Sequence, residues 1–393
     1  MVMLMTPGVA LFYGGMVRRK NVLSTIMMSF AALALVGILW VIVGYSLSFG
    51  NSLGGFIGGF NYFGLNNVGQ EPSDLYASTV PHMAFMIFQA MFAIITVALI
   101  TGAVVERIKF SSLLIFSALW LLLIYAPVAH WVWGEGGWLL NLGALDFAGG
   151  TVVHINAGIS ALALVMLLGP RRGFLKEPME PGNIPMVVIG VALLWFGWFG
   201  FNAGSALSAN GLAASAFVNT NISASTGAFT WLIVSWIHRR PTILGTGTGA
   251  VAGLVAITPA AGFVSPMAAI PIGMVSALIG YYAMLFIKKR RGFDDSLDVF
   301  AVHGLGGIWG ALATGIFASV AVNAAGADGL LAGNGMQFLK QLAGVAAVGG
   351  FAFVGSWLLG KLVDKTMGLR VGEMEEVVGL DISQHGERAY GGI

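Results

Sequence analysis

Apolar stretches recur along the whole chain, at about 1–17, 23–49, 83–105, 111–129, 147–168, 186–203, 213–237, 243–261, 266–287, 299–321 and 336–363, each closed by charge or by turn residues. Most are long enough for a helix to cross a bilayer core, which takes about 20 residues at a rise of roughly 1.5 Å each. The first is shorter and reaches only about 25 Å. It lacks the charged leader and small-residue cleavage site of a signal peptide, so it reads as a first membrane helix whose N-terminal turns are missing. The pattern predicts an all-α polytopic membrane protein with eleven transmembrane helices. Residues 1–367 form the membrane domain and 368–393 a tail.

The polar positions between these stretches give the orientation. Arg18, Arg19 and Lys20 follow the first stretch, Arg107 and Lys109 the third, Arg171, Arg172 and Lys176 the fifth. Arg239 and Arg240 follow the seventh, Lys288, Lys289, Arg290 and Arg291 the ninth, and Lys361, Lys365, Arg370 and Arg388 close the chain. With eleven crossings all of these fall on one side, and only Lys340 falls opposite. By the positive-inside rule that side is cytoplasmic, so the N-terminus is outside and the tail inside. One miscounted span would scramble the alternation, so the charges also check the count. The outer loops carry Glu71, Asp74, Glu135 and Asp328, a mildly acidic face that favours cations and is screened by salt.

Composition narrows the class further. Hydrophobic residues make up 57% and charged residues 9% of the chain, and the mean hydropathy is +0.86. A soluble domain carries roughly 25% charged residues, so most of this surface must meet lipid. A net charge of +2 without a long basic run gives no footing for nucleic acid. With no cysteine, disulfides, iron–sulfur clusters and thiol catalysis are excluded. The 57 glycines suit helices that pack closely in lipid.

The chemistry lies in ionisable residues inside the spans, where a charge is expensive and needs a reason. Asp146 and His154 sit in Asp-Phe-Ala-Gly-Gly-Thr-Val-Val-His, and His303 in Asp-Val-Phe-Ala-Val-His-Gly. The two segments lie five spans apart and therefore run in opposite directions. That is the signature of an inverted repeat of helices 1–5 on 6–10, which brings paired residues together near the midplane. Each residue also has a plainer reading. Asp146 opens a helix and suits its cap, and a single membrane histidine often just bonds a neighbouring helix. His82 and His130 at outer helix ends, with His238 and His385 on the cytoplasmic side, read as interfacial or solvated.

Several strings closely resemble the microbial Amt branch of the Amt/MEP/Rh ammonium transporter family. They are Pro-Gly-Val-Ala-Leu-Phe-Tyr-Gly-Gly-Met-Val-Arg (7–18), Gly-Ala-Leu-Asp-Phe-Ala-Gly-Gly-Thr-Val-Val-His-Ile (143–155), Trp-Phe-Gly-Trp-Phe-Gly-Phe-Asn-Ala-Gly-Ser-Ala (195–206), Ala-Gly-Leu-Val-Ala-Ile-Thr-Pro-Ala (252–260), Val-His-Gly-Leu-Gly-Gly-Ile-Trp-Gly (302–310) and the tail 379–390. The resemblance covers nearly the whole chain in order. It implies a homotrimer in the cytoplasmic membrane with one pore per subunit, no cofactor and no enzymatic reaction. A PII-type signal protein at the cytoplasmic face is the partner it implies.

Residue by residue, the resemblance assigns an outer substrate-recruitment site to Trp133, Phe88 and Ser205, and a stacked pore gate to Phe92 and Phe201. Asp146 becomes the stabilising or deprotonating group, and His154 with His303 line the pore and relay the proton. The implied mechanism is capture of NH₄⁺ by ring quadrupoles and a hydroxyl, loss of the proton, and passage of NH₃ with a separate proton path, giving electrogenic uptake. The alternatives are an electroneutral NH₃ channel and an ammonium sensor, the latter usually carrying an appended signalling domain. A haem protein ligated by the two histidines lacks a second pair. The loop Trp-Gly-Glu-Gly-Gly-Trp departs from the family pattern by adding Glu135 and Trp138, read here as interfacial residues.

Overall fold

The computed structural model describes residues 1–287 and 292–391; the basic run at 288–291 lies outside the described residues. In chain order the long helices are α1 (Val2–Met16), α2 (Arg19–Phe49), α3 (His82–Val104), α4 (Phe110–Leu142), α5 (Gly150–Leu168), α6 (Ile184–Gly204), α7 (Gly211–His238), α8 (Ile243–Ile257), α9 (Pro266–Phe286), α10 (Phe300–Phe317) and α11 (Gly335–Met367). Among the described residues eight of these are long and apolar enough to cross a membrane, and α1 and α8 are shorter apolar helices. Helix α7 is long but more polar, and it buries Asn219, Thr220 and Ser223. The expected stretches map onto these helices to within a few residues. The fourth was expected to end near 129. It continues to Trp133, breaks over the glycine-rich turn at 134–137 and resumes as a short helix, Trp138–Leu142.

The bundle turns large apolar side chains outward: Phe196, Phe229, Ile237 and Leu358 are all exposed. Water would not tolerate such a surface, and lipid does. Inside, Trp40, Trp120 and Trp198 are fully buried. Helix α1 packs on α6 and α5 on α10. The pairs α1–α2, α2–α3 and α3–α5 recur in the second half as α6–α7, α7–α8 and α8–α10. Where α5 crosses α10 the backbones touch: a Cβ at Gly158 would lie 2.2 Å from the Gly304 nitrogen, so no larger residue fits.

π-helical turns occur at Trp40–Gly44, Leu121–Tyr125, Gly150–Ile155 and Phe300–Gly304. The last two hold His154 and His303. A π turn widens the helix by one residue and re-aims the side chains on it, and such turns are frequent at functional positions.

The described loops around Arg18, Arg107 and Arg171 meet at one end of the bundle, as the alternation of basic residues predicts. Arg18 pairs with Glu106 (3.0 Å), Glu106 with Arg171 (2.8 Å), and Arg171 with Asp294 (2.8 Å). The tail folds into α12 (Glu373–Val378) and α13 (Leu380–His385) and lies over these loops. At the opposite end, two short hairpins cover the region between α2 and α3. Here the reading of His82 and His130 as interfacial needs correction, because both are buried. His82 Nε2 bonds Tyr45 Oη at 2.6 Å, and His130 bridges Ser52 Oγ (2.8 Å) and the Ser48 carbonyl (3.0 Å). Each satisfies polar groups where the outer loop enters the bundle, a role that its place at a helix end did not reveal.

Candidate functional site

The site is built outward from the turn that opens α5. Asp146 Oδ1 accepts the N–H groups of Gly149 (2.8 Å) and Gly150 (2.6 Å); Oδ2 accepts those of Thr151 (2.7 Å) and Val152 (3.3 Å), and the Thr151 hydroxyl as well. The turn needs Gly149 at φ 109°, a conformation closed to most side chains. Asp146 is therefore a helix cap whose lone pairs are all engaged. Its carbonyl accepts the Trp133 indole N–H at 2.9 Å, which fixes the plane of that ring.

Trp133, Phe88 and Ser205 come together in an outer cavity of about 330 Å³, together with Tyr76, Gln89 and Glu135. The Ser205 hydroxyl donates to the Phe201 carbonyl at 2.9 Å, leaving its lone pairs to face the cavity as acceptors. Beneath lies the Phe92–Phe201 pair, stacked at 4.0 Å between centroids and inclined by 19°. Both rings are buried, and Phe92 meets Trp133 edge-on at 5.7 Å, so the floor of the cavity is the roof of the next compartment.

Below the stacked pair, His154 lies 6.3 Å from Phe201 and 5.3 Å from His303, centroid to centroid. Their Nδ1 atoms approach to 3.3 Å. His154 also stacks on Trp198 at 5.4 Å. Thr258 sets the protonation pattern. Its hydroxyl donates to the Leu254 carbonyl (2.8 Å) and accepts Trp198 Nε1–H (2.9 Å), so toward His154 Nε2 at 3.3 Å it can only accept again. His154 then carries its proton on Nε2, its Nδ1 accepts from His303 Nδ1–H, and His303 Nε2 is left bare. A void of about 10 Å³ separates the rings from Phe201, Val251 and Tyr13. His303 also faces a wide inner vestibule of about 510 Å³ lined by Tyr13, His238 and Asp298.

All eight residues expected in the site thus fall on one line through the bundle. Thr258, Trp198 and Tyr13 were not singled out. Threonine before proline at the end of α8 reads as a helix stop, and a membrane tryptophan reads as packing. His238 belongs to the inner vestibule. His385 packs on Phe110 in the tail, away from the line.

A lipid-facing helix bundle with a polar, ring-closed line from one end to the other has the build of a membrane transport protein. The comparisons give the family. The model of the Ammonium Transporter Family matches residues 1–390. The ammonium transporter of Bacillus subtilis is 51% identical over 99% of this chain and 96% of its own length. Ammonium transporter Amt1 of Archaeoglobus fulgidus is 52% identical over 99% and 96%. The crystal structure of Candida albicans Mep2 superposes with a TM-score of 0.90 at 38% identity, covering 99% of this chain and 88% of that one. A structure titled Sensor Amt Protein gives 0.89 at 31% identity, covering 98% and 95%. The chain belongs to the Ammonium Transporter Family.

Proposed function

We propose that this protein carries ammonium across the cytoplasmic membrane, entering at Trp133 and leaving past His303. The observation that carries this reading is the single line of cavity, stacked rings, paired imidazoles and vestibule. In the outer cavity the faces of Trp133 and Phe88 attract a cation, and Ser205 accepts one of its N–H bonds. A bare cation would have to shed the rest of its water to pass two stacked phenyl rings, at a cost that uncharged NH₃ avoids. Asp146 favours the cation through its charge and through the Trp133 ring it orients. Its carboxylate is already saturated, so its part in proton removal runs through its field or its hydrogen-bond partners.

Beyond the rings NH₃ meets imidazoles that offer both an acceptor and a donor. A proton arriving separately can pass from His154 Nδ1 to His303 Nδ1 and leave from His303 Nε2 toward the inner vestibule once both rings take the tautomers opposite to the resting ones, which makes uptake electrogenic. K⁺ has no proton to release and is rejected. The architecture consistent with this is eleven crossings in an inverted repeat, N-out and C-in, assembled as a homotrimer with one pore per subunit and the tail from 368 on the cytoplasmic side.

The deciding measurement is current from proteoliposomes. An ammonium pulse should drive an inward positive current and an equal K⁺ pulse almost none. Comparable K⁺ current would sink the deprotonation step, and uptake without current would favour the electroneutral NH₃ channel. The likeness to a structure titled as a sensor keeps that role as the second reading; ammonium binding without any flux would select it.

A further inference from the structure

The saturation of Asp146 leaves no free carboxylate oxygen at the floor of the outer cavity. Among the described residues two carboxylates line that cavity, Asp146 and Glu135, and of these Glu135 alone keeps its oxygens uncommitted. It stands exposed on the turn that interrupts α4 and forms no ion pair among the described residues. Among the described residues no Lys or Arg lines the cavity to cancel it.

Its backbone, by contrast, is held. The Glu135 N–H donates to Tyr76 Oη (3.2 Å), Tyr76 Oη donates to the Phe49 carbonyl (2.6 Å), and the Tyr76 ring stacks on Phe85 at 5.3 Å and 8°. The next residue, Gly136, sits at φ 79°, and Trp138 closes the turn by donating its N–H to the Gly55 carbonyl at 3.1 Å. This fixes the backbone of Glu135 at the rim while its carboxylate stays exposed.

We infer that Glu135 is the electrostatic capture residue of the outer site, raising the local concentration of small cations above the aromatic cage and so setting apparent ammonium affinity. This rests on the transport reading given above. A charge that acts through water across a cavity attracts the ion before contact, and salt weakens its effect. It should therefore change the half-saturating ammonium concentration and leave the saturated rate alone. Chemistry past the stacked rings does not sense it.

The test uses the full-length protein in proteoliposomes, wild type against Glu135→Gln and Glu135→Lys, at about 20 mM and about 300 mM sodium chloride. At low salt, Glu135→Gln should raise half-saturation roughly two- to fourfold, the scale of one charge acting through water, and Glu135→Lys should raise it further. Saturated current should be unchanged, and the gap should shrink at high salt. Calorimetric titration of the solubilised protein with ammonium chloride reads the same shift without transport. If neither half-saturation nor binding changes in either variant, the inference falls. If binding shifts as stated while the wild type carries no ammonium flux, the transport reading falls and the capture role stands.

Discussion

At the residue scale the informative position is Asp146, because capping and charge are there the same five hydrogen bonds. Asparagine is a good cap in general, yet here it would keep one acceptor toward Gly149 and Gly150 and turn its NH₂ against the Thr151 donors. Glu135-like freedom is not available to it. Asp146→Asn should cut ammonium current by more than tenfold and lower the melting temperature of the solubilised protein. Thr151→Val, which removes one donor and keeps the charge, should retain most of the current. An active Asp146→Asn protein would return the residue to capping alone. Thr258→Val gives a second check: it leaves Trp198 N–H and His154 Nε2 without a partner, at about 1–3 kcal/mol for each stranded group, and should reduce current several-fold. Replacing His154 by Glu keeps a titratable group, so some conduction should survive with selectivity against K⁺ relaxed. Unchanged current in the first or unchanged selectivity in the second would remove that residue from the mechanism. The histidines were legible in the sequence because ionisable groups are rare in membrane spans. Thr258 was not, because a hydroxyl in a helix normally bonds its own backbone, and Thr258 does that too.

At the element scale, hydrophobic length located the helices, but it could not show the π turns that aim both histidines or the break at 134–137, since neither alters mean hydropathy. Nor did it predict how the inter-helix loops are fastened. Glu106 is buried at φ 69°, a left-handed backbone that is uncommon for a side chain of this kind. It is held there by Arg18, Asn21 and Arg171. Burial alone would raise its pKa, but the Arg171 and Arg18 charges outweigh it and hold the carboxyl below the usual range. Asp294 is lowered in the same way, Arg171 overcoming its burial. Both folded values lie below the unfolded ones, so this stabilisation is fully present above the unfolded carboxylate pKa near 4 and is lost as pH falls through the folded values. The melting temperature should hold steady from neutral pH to about 5 and drop more steeply below about 4. Glu106→Gln should cost about 3 kcal/mol, because it takes the carboxylate partner from the partly buried Arg18 and one of two from the buried Arg171, which keeps Asp294, and should flatten the acid limb. A melting curve that keeps its acid dependence in that variant would assign the limb to other carboxylates.

At the scale of the whole molecule, the alternation of basic loops foretold which ends would meet, and the described loops do meet beneath the tail. What the sequence could not show is how fully the tail is built in. Asp381 Oδ1 accepts the Ser24 N–H at 2.8 Å and so caps α2 from outside, while Lys20 Nζ donates to the Glu376 (3.0 Å) and Val377 (2.7 Å) carbonyls. Glu376 takes the Arg172 N–H at 2.6 Å and pairs with Arg370 at 2.7 Å, and Asn183 Nδ2 donates to Tyr390 Oη at 3.0 Å. The tail therefore joins the start of α2, the loop after α5 and the start of α6, elements that lead to α1 and α5 beside the pore. A trimeric PII-type protein bound at this face would contact all three subunits of a homotrimer together, and weak contacts linked in this way gain through effective concentration. Removing residues 369–393 should uncap α2 and leave Lys20 and Arg172 without their tail partners. Saturated ammonium current should fall, half-saturation should stay as in the full chain because the outer cavity is untouched, and added PII protein should no longer inhibit. With a PII-type protein bound at this face as the family resemblance implies, ADP, ATP or 2-oxoglutarate should alter its binding to the intact protein and have no effect on the shortened one. Full current with normal PII inhibition after the deletion would show that the tail is an inert appendage, and that its contacts with the loops serve folding alone.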